Sequence, residues 1–138
     1  MKARLILAVL AALWPLSAWA QGVTLTVDGL RNDQGTVLVA VFDTARAFDR
    51  LQFAKAVDLA AIPARTGTVT HHFPALTAGP YAIFLFHDEN DDQDLNHTGD
   101  TLLEGVGASG APNPDDDPDF ADAAFAPGPV RVVVHYDQ

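Results

Sequence analysis

Between His87 and Asn96 the chain reads His-Asp-Glu-Asn-Asp-Asp-Gln-Asp-Leu-Asn, so Asp88, Asn90, Asp92, Asp94 and Asn96 fall at every second position. Carried round a bend, such side chains offer the oxygens that a hard cation takes; Ca²⁺ binds about six to eight of them at roughly 2.3–2.6 Å. The twelve-residue EF-hand loop draws ligands from positions one, three, five, seven, nine and twelve, with glycine at six for a sharp turn. A frame opened at Asp88 puts Asp88, Asn90 and Asp92 at one, three and five, the Asp94 carbonyl at seven and Asn96 at nine. Leu95 then takes the apolar eighth position. Two positions depart from the template. Gln93 stands at six, where a left-handed backbone costs a non-glycine residue about 1–2 kcal/mol. Gly99 stands at twelve, so Asp100 or Glu104 has to replace the usual bidentate glutamate.

The ligand set expected from this frame is Asp88, Asn90, Asp92, Asp94, Asn96 and Asp100, and the cofactor it implies is Ca²⁺. With positions six and twelve weak, the affinity expected is the roughly 10⁻⁴–10⁻³ M of extracellular modules. Opening the frame at Asp92 loses the apolar position and puts Leu103 at twelve. The competing reading is an acidic loop without an ion. Seven acids lie from Asp88 to Glu104, and solvent and salt relieve their mutual repulsion as a cation does. A second acidic run, Pro114 to Asp119 with Asp115, Asp116 and Asp117 at its centre, either completes the same site, holds another ion or faces water.

Charge supports a cation partner. No Lys or Arg occurs between Arg65 and Arg131, whereas twelve of the eighteen acids lie between Asp88 and Asp122. Nucleic acid is excluded as a partner because no basic patch exists to meet phosphates, and an anionic membrane surface is disfavoured on the same ground. The chain has no cysteine, hence no disulfide and no thiolate nucleophile, and its single methionine is Met1. A blue-copper centre needs a cysteine and commonly an axial methionine, so that function is excluded.

Enzymatic signatures are sparse. Ser109, the one serine beyond residue 20, lies in Gly107-Ala108-Ser109-Gly110, which lacks the glycine two residues on that a nucleophile elbow requires, and reads as a flexible turn. His71 and His72 are adjacent on an expected strand, so they point to opposite faces and cannot share a metal. His87 either orients or ligates an ion, or hydrogen-bonds a loop carbonyl to fix the turn at a strand end.

These residues need a scaffold, and the rest of the chain reads as strands. Val23, Leu25 and Val27 alternate with Thr24, Thr26 and Asp28 in a half-buried first strand. Thr36 to Phe42 is apolar in both phases, as in a central strand covered on two sides. Ala56 to Ile62 is a weaker strand candidate, Thr68 to Phe73 follows with Val69 and Phe73 in the core phase, and residues 45–61 have room for a helical turn. Tyr81 to Phe86 is the most apolar strand and runs directly into His87, and Val130 to Tyr136 closes the chain. The fold class expected is all-β: an antiparallel β-sandwich, immunoglobulin-like or transthyretin-like, of about seven strands, with a long acidic loop from His87 to Gly128 before the last one. Leu102, Leu103, Val106, Phe120 and Phe125 are the apolar residues available to pin that loop.

Lys2 and Arg4 before an apolar run from Leu5 to Leu13, with Ala18-Trp19-Ala20 behind it, read as an export signal over residues 1–20. One sandwich domain over residues 21–138 remains, periplasmic or secreted, with no membrane anchor in the mature chain and a formal charge that moves from −10 to −12.

Leu76-Thr77-Ala78-Gly79-Pro80-Tyr81-Ala82-Ile83, with Phe86-His87-Asp88-Glu89-Asn90 after it, resembles the hallmark of domain-of-unknown-function family 2141. Glu104-Gly105-Val106-Gly107 and Phe120-Ala121-Asp122-Ala123-Ala124-Phe125 resemble the family's later segments, so the likeness spans the mature chain. It implies an exported bacterial β-sandwich with a short acidic loop, in which Gln93 replaces a common glycine, and leaves the biochemical role open. The function expected is a non-catalytic binding or interaction module for a protein or surface partner, its acidic loop set by Ca²⁺. The alternatives are a metal-dependent enzyme using His87 and the loop, and a structural accessory domain without a ligand.

Overall fold

The computed structural model describes residues 22–137, and the expected export signal lies outside the described residues. Strands β1 (Val23–Leu30), β2 (Thr36–Phe42), β3 (Asp58–Pro63), β4 (Gly67–Phe73) and β5 (Ala82–Asp88) are followed by β6 (His97–Thr98), β7 (Thr101–Leu102), β8 (Val106–Ala108) and β9 (Gly128–Val133). Two short helices, α1 (Ala45–Asp49) and α2 (Phe120–Ala123), interrupt them. Seven strands form two sheets, in the orders β4-β1-β9 and β3-β2-β5-β8, while β6 and β7 make a separate small hairpin. The molecule is thus all-β and sandwich-like.

Alternation explains the packing. Val23, Leu25 and Val27 of β1 turn inward with Val69, Phe73 and Val132, and meet Val37, Val39, Val41, Ile83 and Leu85 from the other sheet in one core. Full burial of each such side chain stabilises by about 1.5–3 kcal/mol. The opposite phase of β2 and β5 is apolar too, and Ala40, Phe42 and Ala82 pack against Ala47 and Phe48 of α1 and Ala123 of α2 in a second cluster. The expectation of a β2 strand covered on both sides therefore holds at Ala40 and Phe42, while Leu38 on the same outer face is only half-buried.

Several expectations need correction. The sandwich is not wholly antiparallel: β9 pairs with β1 in parallel, Val23 opposite Gly128 through Asp28 opposite Val133. The region from 88 to 128 is not one irregular loop. It contributes β8, which pairs antiparallel with β5 and completes the four-stranded sheet. Among its expected pins, Phe125 packs on the main core and Phe120 on the second cluster, but Leu103 remains 40 % exposed. Ser109 is buried rather than set in a flexible turn; its hydroxyl accepts a hydrogen bond from the Ile83 N–H at 2.9 Å, extending the β5–β8 pairing.

Candidate metal centre

The strand period of two sets where the last side chains of β5 point. Ile83, Leu85 and His87 share one phase, so His87 enters the sandwich interior and is 0 % exposed. Its Nε2 lies 2.6 Å from the Gln34 carbonyl, which can only accept, so Nε2–H donates. Its Nδ1, 2.8 Å from the Tyr136 hydroxyl, is then the acceptor. Both ring nitrogens are engaged, and the reading of His87 as a residue that fixes a turn matches this geometry. Burial, the largest effect on Tyr136, raises its phenol pKa and keeps the hydroxyl protonated as a donor.

Asp88 belongs to the other phase, is 1 % exposed and points into the bend beyond β5. Its two oxygens accept from the backbone N–H groups of Asp92 at 3.2 Å and Gln93 at 2.8 Å, which closes the loop on itself. Gln93 does adopt the left-handed conformation, with φ 64°, as position six of the frame demands. Asp92 faces Asp88 across the loop. One of its oxygens accepts from the amides of Asn96 at 2.9 Å and Asn90 at 3.1 Å, and the other from the Asp94 N–H at 2.9 Å. These bonds hold the Asp92 carboxyl below its usual pKa, chiefly through Asn96 and then through the Asp94 N–H. Asn90, Asp92 and Asn96 are therefore brought together as the frame predicts, with Asp88 behind them.

Of the two residues expected to stand in at the twelfth position, Asp100 and Glu104, the structure brings Glu104 to the cluster. After Asn96 the chain makes the β6–β7 hairpin, His97 opposite Leu102 and Thr98 opposite Thr101. Asp100 lies in the exposed turn of that hairpin and does not join the cluster; Asp94 contributes no carboxylate to it either. The returning arm delivers Glu104 instead. One ligand atom from each of Asp88, Asp92 and Glu104 lies within 4.8 Å of the others. Two oxygens bound to one Ca²⁺ at roughly 2.4 Å are at most about 4.8 Å apart, so this spacing fits one ion. Glu104 is 4 % exposed, its Oε2 accepts from the Asn96 N–H at 3.1 Å, and its Oε1 is buried without a hydrogen-bond partner. Burial raises its pKa, the Asn96 N–H opposes that, and the Asp88 and Asp92 charges push it further up.

The groups that fasten the loop to the sandwich were not evident in the sequence. Glu89 forms an ion pair with Arg31 at 2.7 Å and accepts from the Asn32 amide at 3.0 Å. Thr36 donates to Asp91 at 2.8 Å, and the Arg31 guanidinium lies 4.4 Å from the centre of the Tyr136 ring. The countercharge absent for 65 residues around the loop is thus supplied by the β1–β2 turn. The second acidic run takes no part: Asp115, Asp116 and Asp117 are exposed, and Asp116 accepts from the Asn113 N–H within its own turn.

The family described as "Uncharacterized protein conserved in bacteria (DUF2141)" matches residues 25–133, which contain Asp88, Asp92 and Glu104. The chain belongs to DUF2141. No curated protein matches it, and no solved structure does. The segments that carried the likeness have physical roles in this DUF2141 chain. Leu76 and Tyr81 are buried, and the Tyr81 hydroxyl accepts from the Ala78 N–H at 3.0 Å, tying the turn before β5. In Glu104-Gly105-Val106-Gly107, a side chain on Gly105 would run into the Tyr136 ring, and the Gly105 carbonyl accepts from the His87 N–H at 2.8 Å. Glycine at 105 therefore lets Glu104 be seated beside β5.

Proposed function

We propose that this protein is an exported, non-catalytic binding module whose acidic loop is set by a Ca²⁺ ion held by Asp88, Asp92 and Glu104, with Asn90, Asn96 and the Asp94 carbonyl as neutral ligands. One observation carries the reading: Glu104 Oε1 is buried with no partner beside two other carboxylates. An unsatisfied buried acceptor costs about 1–3 kcal/mol, and a cation at that point supplies what the protein does not. Oxygen-only ligands favour a hard ion, and a loop that offers five or six of them without rigid octahedral order favours Ca²⁺ over Mg²⁺.

The ion is a staple here. It joins the end of β5, the bend at 90–96 and the arm returning to β8, adding to the backbone hydrogen bonds that Asp88 and Glu104 already accept there. The export signal read over residues 1–20 agrees with a millimolar-calcium surrounding, and no helix among the described residues is long and apolar enough to cross a membrane. The enzymatic alternative rests on His87, whose nitrogens are both used and whose side chain is fully buried. The binding role is preferred for that reason. Thermal unfolding in Ca²⁺ against chelator tests the reading: a rise in Tm of several degrees in millimolar Ca²⁺, smaller in Mg²⁺, is expected, and no shift at 10 mM Ca²⁺ overturns it.

A further inference from the structure

A second feature lies on the outer face of the β3-β2-β5 sheet and shares with the ion site only the loop residues Gln93, Asp94 and Leu95 at its edge. Register places Leu38 between Ala61 and Phe86, and Ala40 between Leu59 and Phe84. The small Ala40 and Ala61 lower the middle of this face while Phe53, Leu59, Phe84 and Phe86 stand above it. The result is a cleft of about 600 Å³. That is within the roughly 300–1,000 Å³ typical of small-molecule sites. Its walls keep large apolar groups in water: Phe53 is 44 % exposed and Leu59 63 %.

Charge restricts what the cleft accepts. Gln93, Asp94 and Leu95 of the acidic loop form one wall; among the described residues Asp94 is the single charged one in the lining, and no Lys, Arg or His lines it. Behind Asp94 the loop carries further acids, with no Lys or Arg in the 65 residues between Arg65 and Arg131. A low-dielectric concavity lined by one sign of charge concentrates ligands of the other sign. The rings of Phe53 and Phe84, both in the lining, meet at 51° with centres 6.0 Å apart, so two aromatic side chains stand together in one wall. Aromatic faces attract ammonium groups, quaternary ones above all, by about 0.5–2 kcal/mol each.

We propose that this cleft binds a small organic ammonium carrying an alkyl tail, the tail lying on Leu38, Phe84 and Phe86 and the cation held between Phe53 and Asp94. The site does not require the metal reading, because its floor belongs to the sheet. Isothermal titration of the purified protein with octyltrimethylammonium, octanol and octanoate, each below its aggregation limit, separates the contributions of tail and charge. The cation is expected to bind at least about tenfold more tightly than octanoate, with octanol between them. Leu59→Ser, at the most exposed wall position, is expected to weaken it several-fold without lowering Tm appreciably, Phe53→Ala to weaken it several-fold while lowering Tm through the lost packing on Phe42 and Phe84, and Asp94→Asn to erode the preference over octanoate. Equal affinity for octanoate, absence of saturable binding, or binding indifferent to both Phe53→Ala and Leu59→Ser overturns the proposal. A protein dimer dissolved by Leu59→Ser overturns it in favour of a second copy as occupant. Repeating the titration in chelator keeps the two ideas apart: binding there with no Ca²⁺-induced Tm shift supports the cleft while defeating the ion, and the converse result does the reverse.

Discussion

Glu104→Gln changes the charge of one buried group and almost nothing of its shape, and its effect is expected to have opposite signs with and without Ca²⁺. In chelator the wild-type side chain holds an unpaired Oε1 next to two carboxylates. A glutamine keeps an oxygen for the Asn96 N–H and turns an NH₂ toward Asp88 and Asp92. Satisfying the buried group and removing the like charge should stabilise the metal-free protein by about 1–2 kcal/mol, from the cost of an unsatisfied buried acceptor. With Ca²⁺ the wild type gains RT ln(1 + [L]/Kd), about 1.4–2.7 kcal/mol at 10 mM for a Kd of roughly 10⁻⁴–10⁻³ M. At about 4 °C per kcal/mol for a domain of this size, that is a rise of roughly 5–11 °C. The variant, with a neutral ligand in place of the innermost charge, should lose most of that rise. Differential scanning calorimetry of both proteins, in chelator and in 10 mM Ca²⁺, gives the four Tm values needed. A variant that melts lower than wild type in chelator, or that responds to Ca²⁺ as wild type does, refutes the assignment of Glu104 as the inner ligand.

The same geometry carries four further outcomes. Asp100→Asn should leave the Ca²⁺ response unchanged and Asp92→Asn should abolish it, as read by the same melts, because the first residue lies in the β6–β7 turn and the second in the cluster. In chelator, urea midpoints should fall as pH rises from about 4.5 through the raised Glu104 value, since the native state holds that proton more tightly than the unfolded chain; saturating Ca²⁺ should remove this slope. Gln93→Gly should raise Tm, because relief of about 1–2 kcal/mol at a left-handed residue exceeds the roughly 0.5–1 kcal/mol that glycine costs in unfolded-state entropy. Gly105→Ala should destabilise by about 1–3 kcal/mol and weaken the Ca²⁺ response as well, because the added carbon displaces Tyr136 and shifts Glu104; an unchanged urea midpoint would count against that contact.

Much of the scaffold was legible because strands advertise themselves by period. The alternation of Val23, Leu25 and Val27 and the double apolar phase of β2 correspond to the two clusters found. The direction of β9 was not legible, since alternation is the same whichever way a strand runs. Strand β8 is hidden by its length and by Gly107, which leaves no side chain in the middle of a three-residue pairing and so no period to detect. At the site, Asp88, Asn90, Asp92 and Asn96 are recognisable by spacing because they lie within one bend. Asp100 is nearer than Glu104 to the end of the frame, and only the hairpin, with two residues in each arm, brings Glu104 back in its place. The inward turn of His87 is readable from β5 itself, two residues beyond Leu85 in the core phase. Arg31 as countercharge is not, lying 58 residues from Glu89.

The parallel pairing of β1 with β9 has a mechanical consequence. Six register pairs join the first strand to the last, running in the same direction. Tension applied at Gly22 and at Tyr136 pulls the two strands past each other along their length. Their hydrogen bonds are then loaded in shear, together, whereas a hairpin pulled at its open end separates one bond at a time. A sandwich closed in this way resists extension along the line through its ends more than its equilibrium stability alone implies, and single-molecule pulling along that line should give a higher rupture force than pulling across β1 and β4.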